Sequence, residues 1–479
     1  MADAKPFGRD VEDYGSVVDS NGSGLKHLEL RGNSVALTGA IIIADVVGAG
    51  ILSMPNAFAS FGWVLGSILT CVLLAMNVHI SILMWRIYMK FPQARTYMDM
   101  ADAALGRLPD NERITWVNMV GIVQYSFILA MLCLYALSLG KGVAMLFYKV
   151  FFCLPSWTAI GCAAIIPFFA TSRTLGTWKS LMFINVLTIV GSVIIPLVVM
   201  FFEGLEKTRS KDAVFVAATP PSFSGWFSGL STMTFAFTSQ FMITEICAEM
   251  KDYTEFPRAY INFSMPFQVS AYLIVGLGGY YYIGDSVTGM VMDNIPFSPV
   301  YQLAAACLIV HMIITYFLKA VVLGRAVHKR VDGKEMDDDT SHAWTTWTGI
   351  VVLIVSVSYV VANILPFFED FVELLGSFLT PTGCYIIPIV MYWRILRDYC
   401  TEEEQPSAAE KAIIVIEMIF SIVMTFIGTF VAVREIYYKW DNYGGPFECH
   451  CHNLWNTCEC SAFHPGMEFC LNTETPDFF

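Results

Sequence analysis

Apolar positions along this chain gather in long unbroken runs, with polar stretches between them. Eleven such runs are read, over 34–59, 62–88, 113–140, 157–171, 178–202, 224–249, 256–283, 299–325, 343–367, 369–397 and 411–434. Most match or exceed the roughly 20 residues that a helix needs to cross the hydrocarbon core of a bilayer. A membrane barrel would show short segments of alternating polarity instead. The pattern predicts an all-α polytopic membrane protein of about 11 transmembrane helices. The fourth run, between Pro155 and Arg173, is the shortest.

Composition agrees with the pattern. Hydrophobic residues make up 56% of the 479 positions and charged residues 14%, too little charge to cover a soluble domain of this length. Mean hydropathy is +0.58. The net charge of −13 gathers in the N-terminal tail, in Asp332–Thr340 and in Thr401–Gln405, which read as solvated loops and tails. A phosphate-cradling GxxxxGK[ST] loop, an HExxH pair and a basic stripe are all absent from the sequence. An ATP-driven pump, a zinc protease and a nucleic-acid partner are therefore not expected, nor is an enzyme of any kind.

The first 33 residues are polar and lack a signal-peptide core, so the first span is expected to direct insertion itself. With the N-terminus inside, 20 of the 28 Lys and Arg fall on the cytoplasmic side, seven fall outside, and Lys319 lies within a span. That bias sets the orientation. Eleven crossings then leave the C-terminus at the cell exterior or in a lumen, with the plasma membrane or a vacuolar or lysosomal membrane expected. Three regions follow: a disordered cytoplasmic tail at 1–33, a transmembrane domain at 34–434, and an extracytoplasmic Cys-rich tail at 435–479. Within the domain, 34–201 and 224–397 form two five-helix halves, and 411–434 is an extra helix.

Two spans are interrupted. Val47-Gly48-Ala49-Gly50-Ile51-Leu52-Ser53-Met54-Pro55 puts glycines and a proline at mid-membrane in the first, where they weaken the helix and remove a backbone donor. Thr234 to Gln240 places the polar trio Thr238, Ser239 and Gln240 in the sixth. Backbone freed at that depth must line a cavity or be buried in protein. Matching breaks in inverted halves point to a transporter's binding site, although a GxG is also a common helix-packing notch. A half-helix N-terminus suits a carboxylate, and the C-terminus facing it suits an ammonium group or a cation. A zwitterion needs both, so the breaks fit an α-amino acid. Val47, Gly48, Ala49, Gly50, Ser53, Thr238 and Ser239 are candidate substrate contacts, and Phe235 and Phe237 are either a gate or core.

The stretch Val47 to Pro55, followed by Ala57-Phe58 and Gly62-Trp63, resembles the first-helix signature of the amino acid/auxin permease family. Phe235 to Gln240, with Glu245-Ile246 and Ala248 to Asp252, is similar to that family's sixth-helix region. The resemblance covers roughly 34–434. It implies a five-plus-five inverted-repeat fold with helices 1 and 6 broken, alternating access to amino acids, and H+ or Na+ as coupling ion. By analogy with that fold, Gln124 and Tyr125 are pocket candidates. The chain departs from the family in having Thr238-Ser239 where Gly-Gly is common, and Ala44-Asp45 where sodium-coupled members tend to have Asn.

Ionisable groups at membrane depth mark function by default. The first and eighth helices of this fold share a cation site, so Lys319, with Thr315 one turn before it, is a candidate to fill that site and pair with Asp45. Lys319 could equally snorkel toward Arg325. Glu245 either carries a proton or caps the broken sixth helix. His79 and His311 read as buried, satisfied histidines or else as pH sensors, and Glu417, outside both halves, as a packing or interface contact. In the tail, Cys449, Cys451, Cys458, Cys460 and Cys470 suggest two disulfides and one remaining thiol, or a zinc site with nearby histidines. The other cysteines read as small apolar residues. The expected partners are an amino acid and lipid, with the chain a monomer. A non-transporting amino-acid sensor of the same fold, or a carrier of an auxin-like acid or a polyamine, remains the alternative.

Overall fold

A computed structural model describes residues 32–171, 173, 181–203, 216, 222–287, 289–295, 298–333, 338–365, 368–443, 446–449 and 457. The expectations for 1–31 and for Cys451, Cys458, Cys460 and Cys470 lie outside them.

Every apolar run falls on helix. The chain enters α1 (Val35–Val46), where the Ser34 hydroxyl accepts the Leu37 N–H at 3.3 Å and caps the first turn. Helix resumes as α2 (Ala49–Leu52) and α3 (Met54–Phe61), followed by α4 (Trp63–Lys90), α5 (Tyr97–Ala104), α6 (Asp110–Leu146), α7 (Leu154–Ala170) and α8 (Leu181–Glu203). The second half contains α9 (Phe223–Ala236), α10 (Ile243–Glu249), α11 (Tyr253–Ile283), α12 (Pro299–Asp332), α13 (Ser341–Ile364), α14 (Phe368–Asp398) and α15 (Ala408–Tyr438). Eight of these, α4, α6, α8 and α11 to α15, are long and apolar enough to cross a membrane, while α1 and α7 are shorter apolar helices. Among the described residues the one extended pairing is an isolated bridge between Asn33 and Met250.

Two spans are thus not continuous helices. The first runs through α1, α2 and α3, and the sixth through α9 and α10. Pro55 is not the breaking point, because it occupies the first turn of α3, where its missing N–H costs nothing. The long helix α12 packs along both α6 and α8, while α3 packs against α9 and α11. The broken spans are therefore walled in by α6, α11 and α12. Apolar side chains face outward where lipid replaces water, among them Ile68 and Val72 on α4, Leu187 on α8, and Ile416, Phe426 and Phe430 on α15.

Polar contacts fix the periphery. His79 Nδ1 lies 2.8 Å from Glu417 Oε1, and Arg86 bonds Glu410 and the Tyr392 hydroxyl, so α4 is tied to α15 by ionisable groups and to α14 by a hydrogen bond. His79 is thus a paired group, and Glu417 makes an interface contact between α15 and α4. Lys141 Nζ, which the sequence places in an outer loop, is buried 2.7 Å from Asp293 Oδ2. That pair fastens α6 to the connection between α11 and α12.

The cysteine expectation is corrected. Cys449 does not pair within the tail; it bonds Cys153, in the link between α6 and α7, with Cα atoms 5.0 Å apart. Cys153 is therefore not a small apolar filler. Closing so long a loop restricts the unfolded chain, with typical gains of about 2–4 kcal/mol. Cys153→Ser and Cys449→Ser should each lower the melting temperature in detergent, and the double variant should melt where the singles do. Additive losses would mean that the two sulfurs are not partners.

Candidate functional site

The break in the first span follows from its residues. The helix ends at Val46, and Gly48 takes φ −131°, ψ −130° between α1 and α2. The carbonyls left at the end of α1 find side-chain donors: Asn185 Nδ2 reaches Ala44 O at 3.4 Å, and the Tyr272 hydroxyl reaches Val46 O at 3.2 Å. At the other end, Ala49 and Gly50 open α2 and have no preceding turn to bond. The sixth span ends at Ala236 and resumes through a single turn at Gln240–Met242 into α10. Gly50 makes the two breaks cross closely, since a Cβ there would sit 2.4 Å from Ala236 Cα.

The breaks share one cavity. Asp45, Gly48, Ala49 and Gly50 line it from the first span, Phe235, Thr238, Ser239, Phe241 and Met242 from the sixth, and Phe127, Met131 and Tyr135 from α6, with Lys319 reaching in from α12. Its volume is about 20 Å³, room for a single water molecule, so admitting an amino acid requires the walls to part. Lys319 Nζ stands 2.6 Å from Asp45 Oδ1, with side chains only 6% and 11% exposed. Lys319 points inward and does not snorkel. The other carboxylate oxygen, Asp45 Oδ2, and the Tyr135 hydroxyl are buried without hydrogen-bond partners among the described residues. Buried polar atoms are rarely left so, and here both border the same space. A carboxylate oxygen and a hydroxyl at one wall can accept an ammonium group. The opening turn at Ala49 and Gly50 offers N–H groups to a carboxylate.

Some expected residues lie elsewhere. Val47 faces a separate apolar pocket with Ile51 and Val190, and Ser53 is buried outside the cavity lining. Phe237 packs edge-on against Tyr272, ring centroids 4.8 Å apart, so it is core and Phe235 alone of the pair borders the cavity. Thr315 Oγ1 donates to Asn185 Oδ1 at 3.2 Å behind the first break, and His311 Nδ1 meets Asn185 O at 3.1 Å. Gln124 and Glu245 lie outside the cavity lining: Gln124 Nε2 donates to Phe241 O at 3.4 Å, and Glu245 Oε2 is buried without a partner among the described residues. Sequence reasoning missed Phe127, Met131 and Tyr135, whose residue types look like core in any apolar helix. It also missed Asn185, a buried amide in the apolar run 178–202 that could have been flagged.

Residues 31–434 match the family described as transmembrane amino acid transporter protein. The chain belongs to that family. It is 20% identical over 428 residues to the N amino acid transport system protein of Neurospora crassa, covering 85% of this chain and 86% of that one. It is 23% identical to amino acid transporter AVT1D of Arabidopsis thaliana, covering 81% of this chain and 68% of that one. The crystal structure of MhsT in complex with L-phenylalanine superposes with a TM-score of 0.58 at 13% identity, over 84% of this chain and 98% of MhsT. At that identity the likeness speaks to fold alone. Family and helices together make this an integral, multi-pass membrane protein of amino acid transport.

Proposed function

We propose that the protein is a secondary active transporter that moves amino acids by alternating access, driven by protons. The observation carrying the reading is the Lys319–Asp45 ion pair beside the Gly48–Gly50 break. An ammonium group already bound to the one acidic side chain of the cavity occupies the place a sodium ion would need. A proton moving onto Asp45 would break the pair and release Lys319, linking protonation to the geometry of the break. The unpartnered Asp45 Oδ2 and Tyr135 hydroxyl would take the substrate's ammonium group, and the Ala49–Gly50 turn its carboxylate.

The membrane orientation is part of the proposal: N-terminus cytoplasmic, C-terminus outside or lumenal, with the chain acting as a monomer. The Cys153–Cys449 bond supports it, since disulfides persist on the oxidising side of a membrane.

The deciding experiment is uptake of a radiolabelled amino-acid panel into proteoliposomes under a pH gradient or a sodium gradient imposed separately. Accumulation under the pH gradient alone supports the proposal. Sodium dependence would discard the role given to Lys319. Ligands that raise the melting temperature without any flux would favour a sensor.

A further inference from the structure

We infer that Tyr260 and Tyr272, both on α11, are positioning residues that set the width of the gap in the sixth span. The inference rests on the reading of the breaks as the substrate site. Neither tyrosine belongs to the cavity lining, and both are fully buried.

Each hydroxyl holds one lip of the gap. On the side of α9, the Tyr272 hydroxyl donates to Ala236 O at 2.5 Å and lies 3.2 Å from Val46 O. These are the last residues of α9 and of α1, so one hydroxyl joins the carbonyl ends of both broken spans, where the helix leaves acceptors unmet. On the side of α10, the Tyr260 hydroxyl lies 3.0 Å from Ser239 Oγ, which borders the cavity. Asn77 Nδ2 donates to the Tyr260 oxygen at 3.0 Å. The Tyr260 and Ser239 hydroxyls thus share one hydrogen bond at this lip, with Asn77 holding the phenolic oxygen in place. Asn77 is itself held: Gln240 Nε2 donates to Asn77 Oδ1 at 2.7 Å, while Gln240 Oε1 accepts the Ser239 N–H at 3.1 Å. The N–H at this lip is thus used within the protein, and the Ser239 hydroxyl is the group presented to substrate.

The local conformation of α11 explains how one helix reaches both lips. At about 100° per residue, positions 12 apart differ by about 120° around an α-helix. Tyr260 lies inside a wider π turn, Ala259–Ser264, and Tyr272 lies two turns beyond its end. The widened turn reduces that angle and brings the two hydroxyls toward a common face.

The test is uptake kinetics in proteoliposomes with the labelled amino acid taken up fastest in the panel. Tyr260→Phe, Tyr272→Phe and Ser239→Ala should each raise KM about tenfold with kcat within about twofold, the scale of one lost hydrogen bond. Tyr260→Phe combined with Ser239→Ala should raise KM no further than either alone, because both remove one contact. Tyr260→Phe combined with Tyr272→Phe should multiply the effects. A lower melting temperature with unchanged KM in both tyrosine variants would make them structural only and overturn the inference. If Ser239→Ala raises KM and Tyr260→Phe does not, the inference falls while the site stands. If Ser239→Ala leaves KM unchanged, the site reading falls with it. Should Tyr260→Phe fail to reach the membrane, Asn77→Ser removes the donor behind the hydroxyl and gives the same readout.

Discussion

Lys319→Met should abolish proton-driven accumulation, and Asp45→Asn should do the same. Each single change strips one partner from an ion pair buried between α1 and α12. Leaving a buried charge uncompensated costs about 3–5 kcal/mol, so the singles should also melt early. Asp45→Asn combined with Lys319→Met removes both charges and should recover most of that stability without recovering coupling. Separation of stability from coupling is the useful outcome, because a purely structural pair would return both together. Melting by size-exclusion fluorescence and uptake under imposed pH gradients read the two quantities on the same preparations. Unchanged pH dependence of uptake in both single variants would remove Lys319 and Asp45 from the mechanism.

Gly50→Ala should nearly eliminate transport, while Gly48→Ala should be mild, although the two positions lie two residues apart in one motif. At Gly50 the new methyl would meet Ala236 Cα at 2.4 Å and its Cβ at 2.9 Å. A backbone cannot swing aside as a side chain does, so the first and sixth spans must separate. Overpacking of this kind costs typically about 1–3 kcal/mol, and the displacement falls on both lips of the cavity. A loss of about a hundredfold in uptake rate is expected, as misplacement by about 1 Å produces in other sites. At Gly48 the methyl would stand 3.7 Å from His311 Nε2 and 3.8 Å from the Tyr135 hydroxyl, ordinary contact distances. Normal transport by Gly50→Ala would mean that the spans do not cross this closely in the membrane.

The helices and both interruptions were legible in the sequence because each rests on local chemistry. Hydrocarbon thickness dictates run length, and Gly48, Gly50 and the polar trio at 238–240 mark where regular backbone fails. The approach of Lys319 to Asp45 was also legible, through the resemblance that puts the first and eighth spans side by side. Harder to see were residues whose role depends on which neighbour the fold supplies. Tyr135 looks like any aromatic residue of an apolar helix until its hydroxyl, at the cavity, is found without a partner among the described residues. Lys141 looks like a loop cation until Asp293 meets it in the interior. Val47, Phe237 and Thr315 have the right residue types near the right motifs, but the backbone at each position turns its side chain away from the cavity. Cys153 and Cys449 could not be matched from spacing, because only the assembled bundle brings the two loops together.

That last bond closes a ring within the protein. The stretch joined end to end by Cys153 and Cys449 spans 296 positions and includes every helix from α7 to α15. Cutting the backbone once anywhere inside the ring opens it without freeing a fragment, so a protease nick between α12 and α13 leaves one covalent molecule. On a gel, two pieces should separate only after a thiol reductant is added.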